Sequence, residues 1–378
     1  MSTPSRPDAI PALTAIRGIA ALVVVVFHVH ETFPKDDLFV VSWFRNGGFG
    51  VDLFFVLSGF IMAHVYMRQS RVDGFAAFAT GFLKARLARI YPLHLATLLA
   101  TVALVLWLPG FAPRYQTYFG VDSFVLNLLL MQNWGFIGPS WNMVSWSISA
   151  EWFMYLVFPL LLWAYAKRVS SSPRSKQLAF SLMAVLAGTY VAIIVSRGWN
   201  HYGGMSSGGM VRVFFEFVLG FLVYQVRDTL HPPPGTMRFE IYGAALVALA
   251  ALALFDRRYW HVFVPAIALL IATLGTNRGA VSQALSRRAA VYLGEISFSL
   301  YMWHWLVIQI HNVLRDAGTL AVQDRAGLYL QSASMVALSL AAAALSHPLI
   351  EKPAREWINR TGKRRPPGAR RPPRPQAS

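Results

Sequence analysis

Residues 13–31 read LTAIRGIAALVVVVFHVHE, an apolar run in which Arg17, His28 and His30 are the only ionisable residues before the closing Glu31. A run of about 20 apolar residues is long enough to cross the hydrocarbon core of a bilayer as one helix. Ionisable side chains inside such a helix are costly, and for that reason they indicate functional positions. This stretch therefore predicts a transmembrane helix whose ionisable residues are candidates for a functional site.

The whole chain has the composition of a membrane protein. Of its 378 residues, 56% are hydrophobic and only 13% are charged, and the mean hydropathy is +0.46. A water-soluble domain carries roughly a quarter charged residues, so lipid is the expected main solvent. The chain has no cysteine, which excludes a disulfide, a thiolate metal site and a cysteine acyl-enzyme.

Ten apolar runs predict an all-α integral membrane bundle of about ten transmembrane helices with no separate soluble domain. A further run, Val121–Trp134, is too short to cross and is expected to be interfacial or re-entrant. Residues 1–9 are the expected cytoplasmic N-terminus, 10–355 the bundle and 356–378 a disordered Pro/Arg-rich tail. The predicted spans are 10–30, 48–67, 87–108, 143–166, 178–196, 209–226, 239–255, 260–275, 291–314 and 327–350.

The basic residues lie mostly on one side of these spans. With the N-terminus in the cytoplasm, 24 of the 34 Lys and Arg residues fall inside, 8 fall outside, and Arg17 and Arg212 lie within spans. This bias follows the positive-inside rule and predicts that both termini are cytoplasmic. The charge of +17 is therefore mainly a topology signal, so nucleic acid is not an expected partner. The tail either rests on anionic lipid headgroups or is topological only.

Arg17 and His28 are eleven residues apart, which is almost three helical turns. Their side chains are therefore expected to point the same way, about 16 Å apart along the axis. A snorkelling arginine and an interfacial histidine are the structural interpretations. A functional pair is the alternative, and the residues alone leave both open.

Two carboxylates are predicted near the outer ends of spans. Asp52, in the run GVDLFFVLSGF, either complements the helix dipole as a first-turn acid or belongs to a site. Glu151 lies about two turns into an apolar helix, with Ser147 one turn before it on the same face. There it must pair, with Arg17 or Arg212 on the structural interpretation, or stay protonated.

Two further pairs of side chains share helix faces. Arg86 and Arg89 are three residues apart at the cytoplasmic side of span 87–108, either as topology signals or as a clamp for phosphate. His304 and Tyr301 share a face of span 291–314, where the histidine is either hydrogen-bonded into the bundle or functional.

The predicted topology places His28, Asp52, Glu151 and His304 in the outer half of the membrane. A histidine flanked by carboxylates is suited to general acid–base chemistry, because the anion orients the imidazole. The arginine pair lies on the opposite, cytoplasmic side. This arrangement suits an anionic cytoplasmic donor and an extracytoplasmic acceptor.

The sequence resembles the acyltransferase 3 family. Its members are bacterial membrane O-acyltransferases that modify O-antigens, exopolysaccharides, nodulation factors and some antibiotics. The resemblance covers residues 12–355, with the motifs in the family's order. One motif is the pair Arg17 and His28, which are separated by ten residues. The others are GVDLFFVLSGF (50–60), RLARIYP (86–92), SWSISAEWFMY (145–155), RVFFEFVLGFLVY (212–224), ISFSLYMWHW (296–305) and PLIEKPAR (348–355).

The resemblance implies roles by position. His28 matches the family's essential histidine and Arg17 its arginine partner, while Arg86 and Arg89 match the pair associated with coenzyme A. Glu151 matches the acid of its motif, and Asp52 and His304 are supporting positions. Asp52 is expected beside His28 and Glu151 in the catalytic group, while Ser147, Tyr301 and His304 are expected, with the three arginines, to bind substrate or donor. Some members carry an added esterase-like domain; none is evident here, so the bundle is expected to bind the acceptor.

The resemblance also implies a reaction and a place. Acyl-CoA, most simply acetyl-CoA, is the expected donor, a carbohydrate or glycolipid hydroxyl the acceptor, and no metal is expected. The enzyme would lie in the bacterial inner membrane among its lipids. His28 would take the hydroxyl proton, with Glu151 or Asp52 holding its ring, and an acyl-histidine relay stays open. A secondary transporter and a non-enzymatic subunit of polysaccharide export are the alternative functions.

Overall fold

The structure is a computed structural model. It describes residues 9–33, 47–67, 74–111, 119–136, 141–168, 174–197, 207–227, 263–275, 279–320 and 324–360.

Helices dominate the described residues, and no strand occurs among them. The helices are α1 (Pro11–His30), α2 (Phe49–Tyr66), α3 (Phe75–Trp107), α4 (Val121–Leu128), α5 (Trp146–Arg168), α6 (Ser175–Arg197), α7 (Ser207–Val226), α8 (Phe263–Leu274), α9 (Ala280–Leu285), α10 (Arg288–Glu295), α11 (Ser297–Asp316), α12 (Arg325–Ser346) and α13 (Lys352–Arg360). A 3₁₀ turn, Met143–Ser145, precedes α5, and a π-helical turn, His347–Glu351, joins α12 to α13.

Seven helical stretches in the described part of the chain are long and apolar enough to cross a membrane. They are α1, α2, α3, α5, α6, α7 and the continuous stretch from α12 to Arg360. Each matches one predicted span, but the count of about ten is not confirmed. The predicted span 239–255 lies outside the described residues, and α8 has only 12 residues.

The predicted span 291–314 is broken at Ile296 into α10 and α11. Helix α11 is 20 residues long, but it is less apolar than the seven stretches. It packs against α1, α3 and α12 and buries polar side chains such as Gln309 and Asn312. A helix that is surrounded by protein can be polar, because its side chains find partners there.

The arginine pair lies well inside a helix. Sequence reasoning began the third span at residue 87, whereas α3 begins at Phe75 and continues past Pro92. Arg86 is therefore roughly 16 Å along the helix from its first residue.

Helices α2 and α7 cross in close backbone contact. A Cβ atom on Gly59 would overlap the carbonyl oxygen of Phe217, and one on Gly220 would overlap that of Val56. Two backbones can approach to this distance only where both helices present glycine. Buried Phe60 and Phe217 pack around this crossing.

The segment predicted to be re-entrant does not form a long helix. Helix α4 ends at Leu128, and the chain then turns through Leu130, whose φ is +57°. Side chains satisfy this irregular backbone: His94 Nε2 lies 2.8 Å from the carbonyl oxygen of Asn127, and Ser149 donates to that of Leu130. Irregular backbone at membrane depth is tolerated where protein buries it in this way.

Helix α13 differs from the sequence-based expectation at the C-terminal side. It runs to Arg360 against α3, so its last five residues fall in the segment predicted to be a disordered tail. Residues 361–378 lie outside the described part of the chain.

Candidate active site

His28 and His304 are in direct contact. Nε2 of His304 lies 3.1 Å from Nδ1 of His28, and the two ring centroids are 5.0 Å apart. His304 is fully buried, whereas His28 is half-buried, with the Trp305 ring edge-on at 5.9 Å. Helices α1 and α11 thus bring together two histidines that are 276 positions apart.

Tyr301 links this histidine pair to α5. Its ring centroid lies 5.6 Å from that of His304, as the shared helix face predicted. The Tyr301 hydroxyl donates to the carbonyl oxygen of Val144 at 2.9 Å and accepts from Ser147 Oγ at 2.8 Å. Both hydrogen bonds are buried.

Glu151 lies one turn further along α5 and has different partners from those expected. Its Oε1 accepts hydrogen bonds from Ser58 at 2.7 Å and from Tyr155 at 2.6 Å. Sequence reasoning expected Glu151 or Asp52 to hold the His28 ring. Within the described contacts, the His28 ring meets Val24 and His304 instead.

Asp52 belongs to a buried charge cluster on α2 and α7. Arg212 Nε lies 2.7 Å from Asp52 Oδ1 and 3.2 Å from Glu216 Oε1. All three side chains are at most 4% exposed. One guanidinium thus contacts two carboxylates, so the sequence-predicted site residue Asp52 is paired with Arg212.

Arg17 reaches the break between α10 and α11. It donates to the carbonyl oxygen of Gly294 at 2.7 Å and to Ser297 Oγ at 3.0 Å. It also lies close enough to Glu151 and Glu351 for direct electrostatic interaction. Arg17 and His28 therefore both face α11, as their eleven-residue spacing predicted.

Arg86 and Arg89 have different surroundings. Arg86 donates to Tyr66 Oη at 2.9 Å, and its guanidinium lies 5.4–5.9 Å from the ring centroids of Tyr66, Phe82 and Tyr155. Its Nε is buried with no hydrogen-bond partner among the described residues. Arg86 therefore keeps an unused hydrogen-bond donor.

Arg89 is engaged by a carboxylate. Its Nη1 lies 2.8 Å from Glu351 Oε1, and the other carboxylate oxygen of Glu351 accepts from Ser299 and meets His347 Nδ1 at 3.1 Å. Glu351 is 1% exposed, so this ion pair is mostly removed from solvent.

Contacts between these side chains join His28 to Ser147 at one end and Glu151 to Arg86 at the other. Ser147 and Glu151 share a face of α5, one turn apart, and so connect the histidine end to the arginine end. We call this path the polar column; it consists of His28, His304, Tyr301, Ser147, Glu151, Tyr155 and Arg86. Across the part of the chain that is described, no group of three or more His, Asp or Glu residues is arranged to hold a metal ion.

A family model described as an acyltransferase domain matches residues 10–346 of this chain. The chain belongs to the acyltransferase 3 family. It is accordingly an enzyme that transfers acyl groups, and its apolar helices make it a multi-pass membrane protein. No solved structure matches it.

Curated relatives of this acyltransferase are also named as acyl-group transferases. Acyltransferase MdmB of Streptomyces mycarofaciens is 28% identical over 96% of this chain and 95% of the relative. The putative peptidoglycan O-acetyltransferase YrhL of Bacillus subtilis is 23% identical over 94% of this chain. O-acetyltransferase OatA of Staphylococcus aureus is 22% identical over 93% of it. The chain spans only 56% and 58% of the last two relatives.

Sequence reasoning on the acyltransferase missed several partners. Tyr155 follows Glu151 by four positions, and Glu216 follows Arg212 by four; both spacings put side chains on one helix face and were available signals. Glu351 lies in the PLIEKPAR motif, but nothing local links it to Arg89, 262 positions earlier. The contact between His28 and His304 likewise needs the packing of α1 on α11.

Proposed function

We propose that this membrane O-acyltransferase moves an acyl group, most simply acetyl, from cytoplasmic acyl-CoA to a carbohydrate hydroxyl. Exopolysaccharide, O-antigen or a lipid-linked glycan is the proposed class of acceptor. The observation that carries the proposal is the polar column, which has a histidine pair at one end and a guanidinium with an unused donor at the other. The names of YrhL and OatA support O-acetylation.

The proposed donor end is centred on Arg86. A guanidinium fork suits phosphate oxygens, and Nε of Arg86 has no other partner among the described residues. Arg17 and Arg89 add positive potential nearby, but both are already hydrogen-bonded. The nucleotide would bind at this end, and the pantetheine arm would follow the column toward His28.

The proposed reaction takes place at the histidine end. The acceptor hydroxyl loses its proton to His28, and its oxygen attacks the thioester carbonyl carbon. The C–O bond forms, the C–S bond breaks, and the coenzyme A thiolate leaves and receives the proton. In the alternative relay, His28 is acylated first and the hydroxyl attacks the acyl-histidine. Label retained on the protein after a single turnover with donor alone would identify the relay.

We also propose the topology. Three segments would bring the seven apolar stretches to ten spans: the predicted span 239–255, α8 and α11. Helix α11 suits this role because its polar side chains are buried by neighbouring helices. Residues 10–355 would then form the bundle in the bacterial inner membrane, with residues 1–9 and the basic tail in the cytoplasm. The donor end would face the cytoplasm and the histidine end the outside.

The direct test uses purified protein with radiolabelled acetyl-CoA and a panel of carbohydrate acceptors. Wild type should transfer label to at least one acceptor, and His28→Ala should lose at least about 10²-fold in turnover, since general-base help is worth that much. His311→Ala is the matched control, because this histidine of α11 hydrogen-bonds to Ser334 away from the column. No transfer to any carbohydrate, or His28→Ala within about tenfold of wild type, would refute the proposal.

A further inference from the structure

Two backbone carbonyls determine which ring nitrogens of the histidine pair carry hydrogen. Nδ1 of His28 lies 3.0 Å from the carbonyl oxygen of Val24, and Nδ1 of His304 lies 2.6 Å from that of Tyr301. A carbonyl oxygen can only accept a hydrogen bond. Each neutral ring therefore carries its hydrogen on Nδ1 and a lone pair on Nε2.

This assignment makes the contact between the rings directional. Nε2 of His304 lies 3.1 Å from Nδ1 of His28, so the lone pair of His304 accepts the Nδ1–H of His28, which Val24 shares. Nε2 of His28 makes no hydrogen bond within the described part of the chain. It is therefore the basic nitrogen of the pair.

We propose that His304 is the positioning residue of the reaction, a role that rests on the proposed function. When Nε2 of His28 takes the acceptor's proton, the ring becomes an imidazolium and Nδ1–H becomes a stronger donor to His304. His304 stabilises that cation and keeps the ring aimed at the hydroxyl. The proton then passes from Nε2 of His28 to the departing thiolate.

A neutral imidazole here performs the task that a carboxylate performs in a Ser-His-Asp triad. The site has a physical reason for this choice. His304 is 0% exposed, and an anion at that position would need its own partners to offset desolvation. The two carboxylates that the sequence suggested as partners of His28 have other partners, Arg212 for Asp52 and Ser58 and Tyr155 for Glu151.

The test compares three substitutions at one position. His304→Phe keeps an aromatic ring beside His28 but accepts no hydrogen bond, and His304→Ala removes the ring. His304→Gln keeps an amide oxygen that accepts a hydrogen bond at a similar distance. We expect kcat to fall by about 10²-fold or more in Phe and Ala and by less than about tenfold in Gln. The KM for donor and the coenzyme A affinity should stay within about twofold in all three.

Each outcome decides the inference separately from the proposed function. If wild type transfers acyl groups and His304→Phe keeps kcat within about twofold, the positioning role is refuted while the acyltransferase reaction stands. A Gln variant as inactive as Phe, with normal coenzyme A binding, would also refute hydrogen-bond acceptance as the mechanism. Failure of wild type itself to acylate any carbohydrate would instead refute the proposed function.

Discussion

Nη1 of Arg89 lies 2.8 Å from Oε1 of Glu351, and this ion pair ties α3 to the π-helical turn before α13. Glu351 is 1% exposed and Arg89 20% exposed. Breaking a buried pair from one side leaves a charge without compensation, at a cost of about 3 kcal/mol or more. The pair therefore contributes to the fold beside the proposed donor end.

Arg89→Ala should lower the thermal unfolding midpoint of the purified protein, because the buried Glu351 carboxylate loses its arginine partner. The double variant Arg89→Ala/Glu351→Gln should recover much of that loss, since no unpaired charge remains. Arg360→Ala is the control: its contact with Glu356 at 3.5 Å is exposed, and such pairs contribute little. Equal loss in the single and double variants would argue against the ion pair as the cause.

Arg86→Ala should raise the KM for acyl-CoA by at least about tenfold with a smaller effect on kcat. The reason is that a charge-assisted contact to phosphate is worth roughly 1.5–3 kcal/mol and acts equally on ground and transition states. Arg86→Lys should restore only part of the lost donor affinity, because lysine keeps the positive charge but lacks the forked guanidinium. Lys84→Ala, two residues earlier on α3, is the charge-matched control. If calorimetry shows the same coenzyme A affinity for Arg86→Ala as for wild type, Arg86 does not contact the donor.

Glu151→Gln should tighten coenzyme A binding by about threefold or more, because the carboxylate reduces the positive potential of Arg17 and Arg86. Glutamine can still accept from Ser58 and Tyr155, so the fold should be kept. Tyr155→Phe is the control: it removes one hydrogen bond to Glu151 and leaves the charge. Calorimetric titration of the three proteins checks this, and weaker binding in Glu151→Gln would contradict it.

Gly59→Ala should destabilise the protein strongly, because the added Cβ meets the backbone carbonyl of Phe217 on α7 and α2 must move away. Gly188→Ala is the matched control, since its Cβ would meet nothing within 4 Å. In a helix that control substitution is expected to stabilise by about 0.5–1 kcal/mol. The yield of detergent-solubilised protein and the thermal unfolding midpoint are measured for both variants. Similar values for the two variants would disprove the close crossing of α2 and α7.

A reporter fused after Ser378 should behave as cytoplasmic if the chain has ten spans. Seven spans would place the two termini on opposite sides, so the same fusion separates the two counts. A second fusion in the connection between α11 and α12, at residue 322, should report from the outside. An alkaline phosphatase active at the C-terminus would overturn the proposed sidedness of the donor end.

Sequence alone predicted most of the long helices, because lipid imposes a length and an apolarity that can be read locally. It also predicted that Arg17 and His28 share a face, since both lie on one helix. It predicted 291–314 as one span, whereas the structure divides that stretch at Ile296. Helix α11 is not among the seven apolar stretches, because it carries polar side chains that neighbouring helices bury.

Partners across helices were harder to predict than positions along one helix. Tertiary packing decides that Asp52 meets Arg212 and that His28 meets His304, and no local spacing encodes either contact. Sequence reasoning therefore identified the ionisable residues and grouped some of them incorrectly. It expected Glu151 or Asp52 to hold the His28 ring, whereas the described hydrogen-bond contacts of that ring are with Val24 and His304.

The placement of Arg17 and His28 on one unbroken helix limits how this sequence can diverge. Each residue of α1 turns the helix by about 100°, so gaining or losing a single residue between the two would rotate one of them away from α11. Substitutions among the intervening valines and alanines change only the packing of α1, and a second substitution nearby can compensate for each of them. The stretch from Arg17 to His28 should therefore tolerate exchange of residues far better than change of length, and natural insertions should accumulate in the connections between helices.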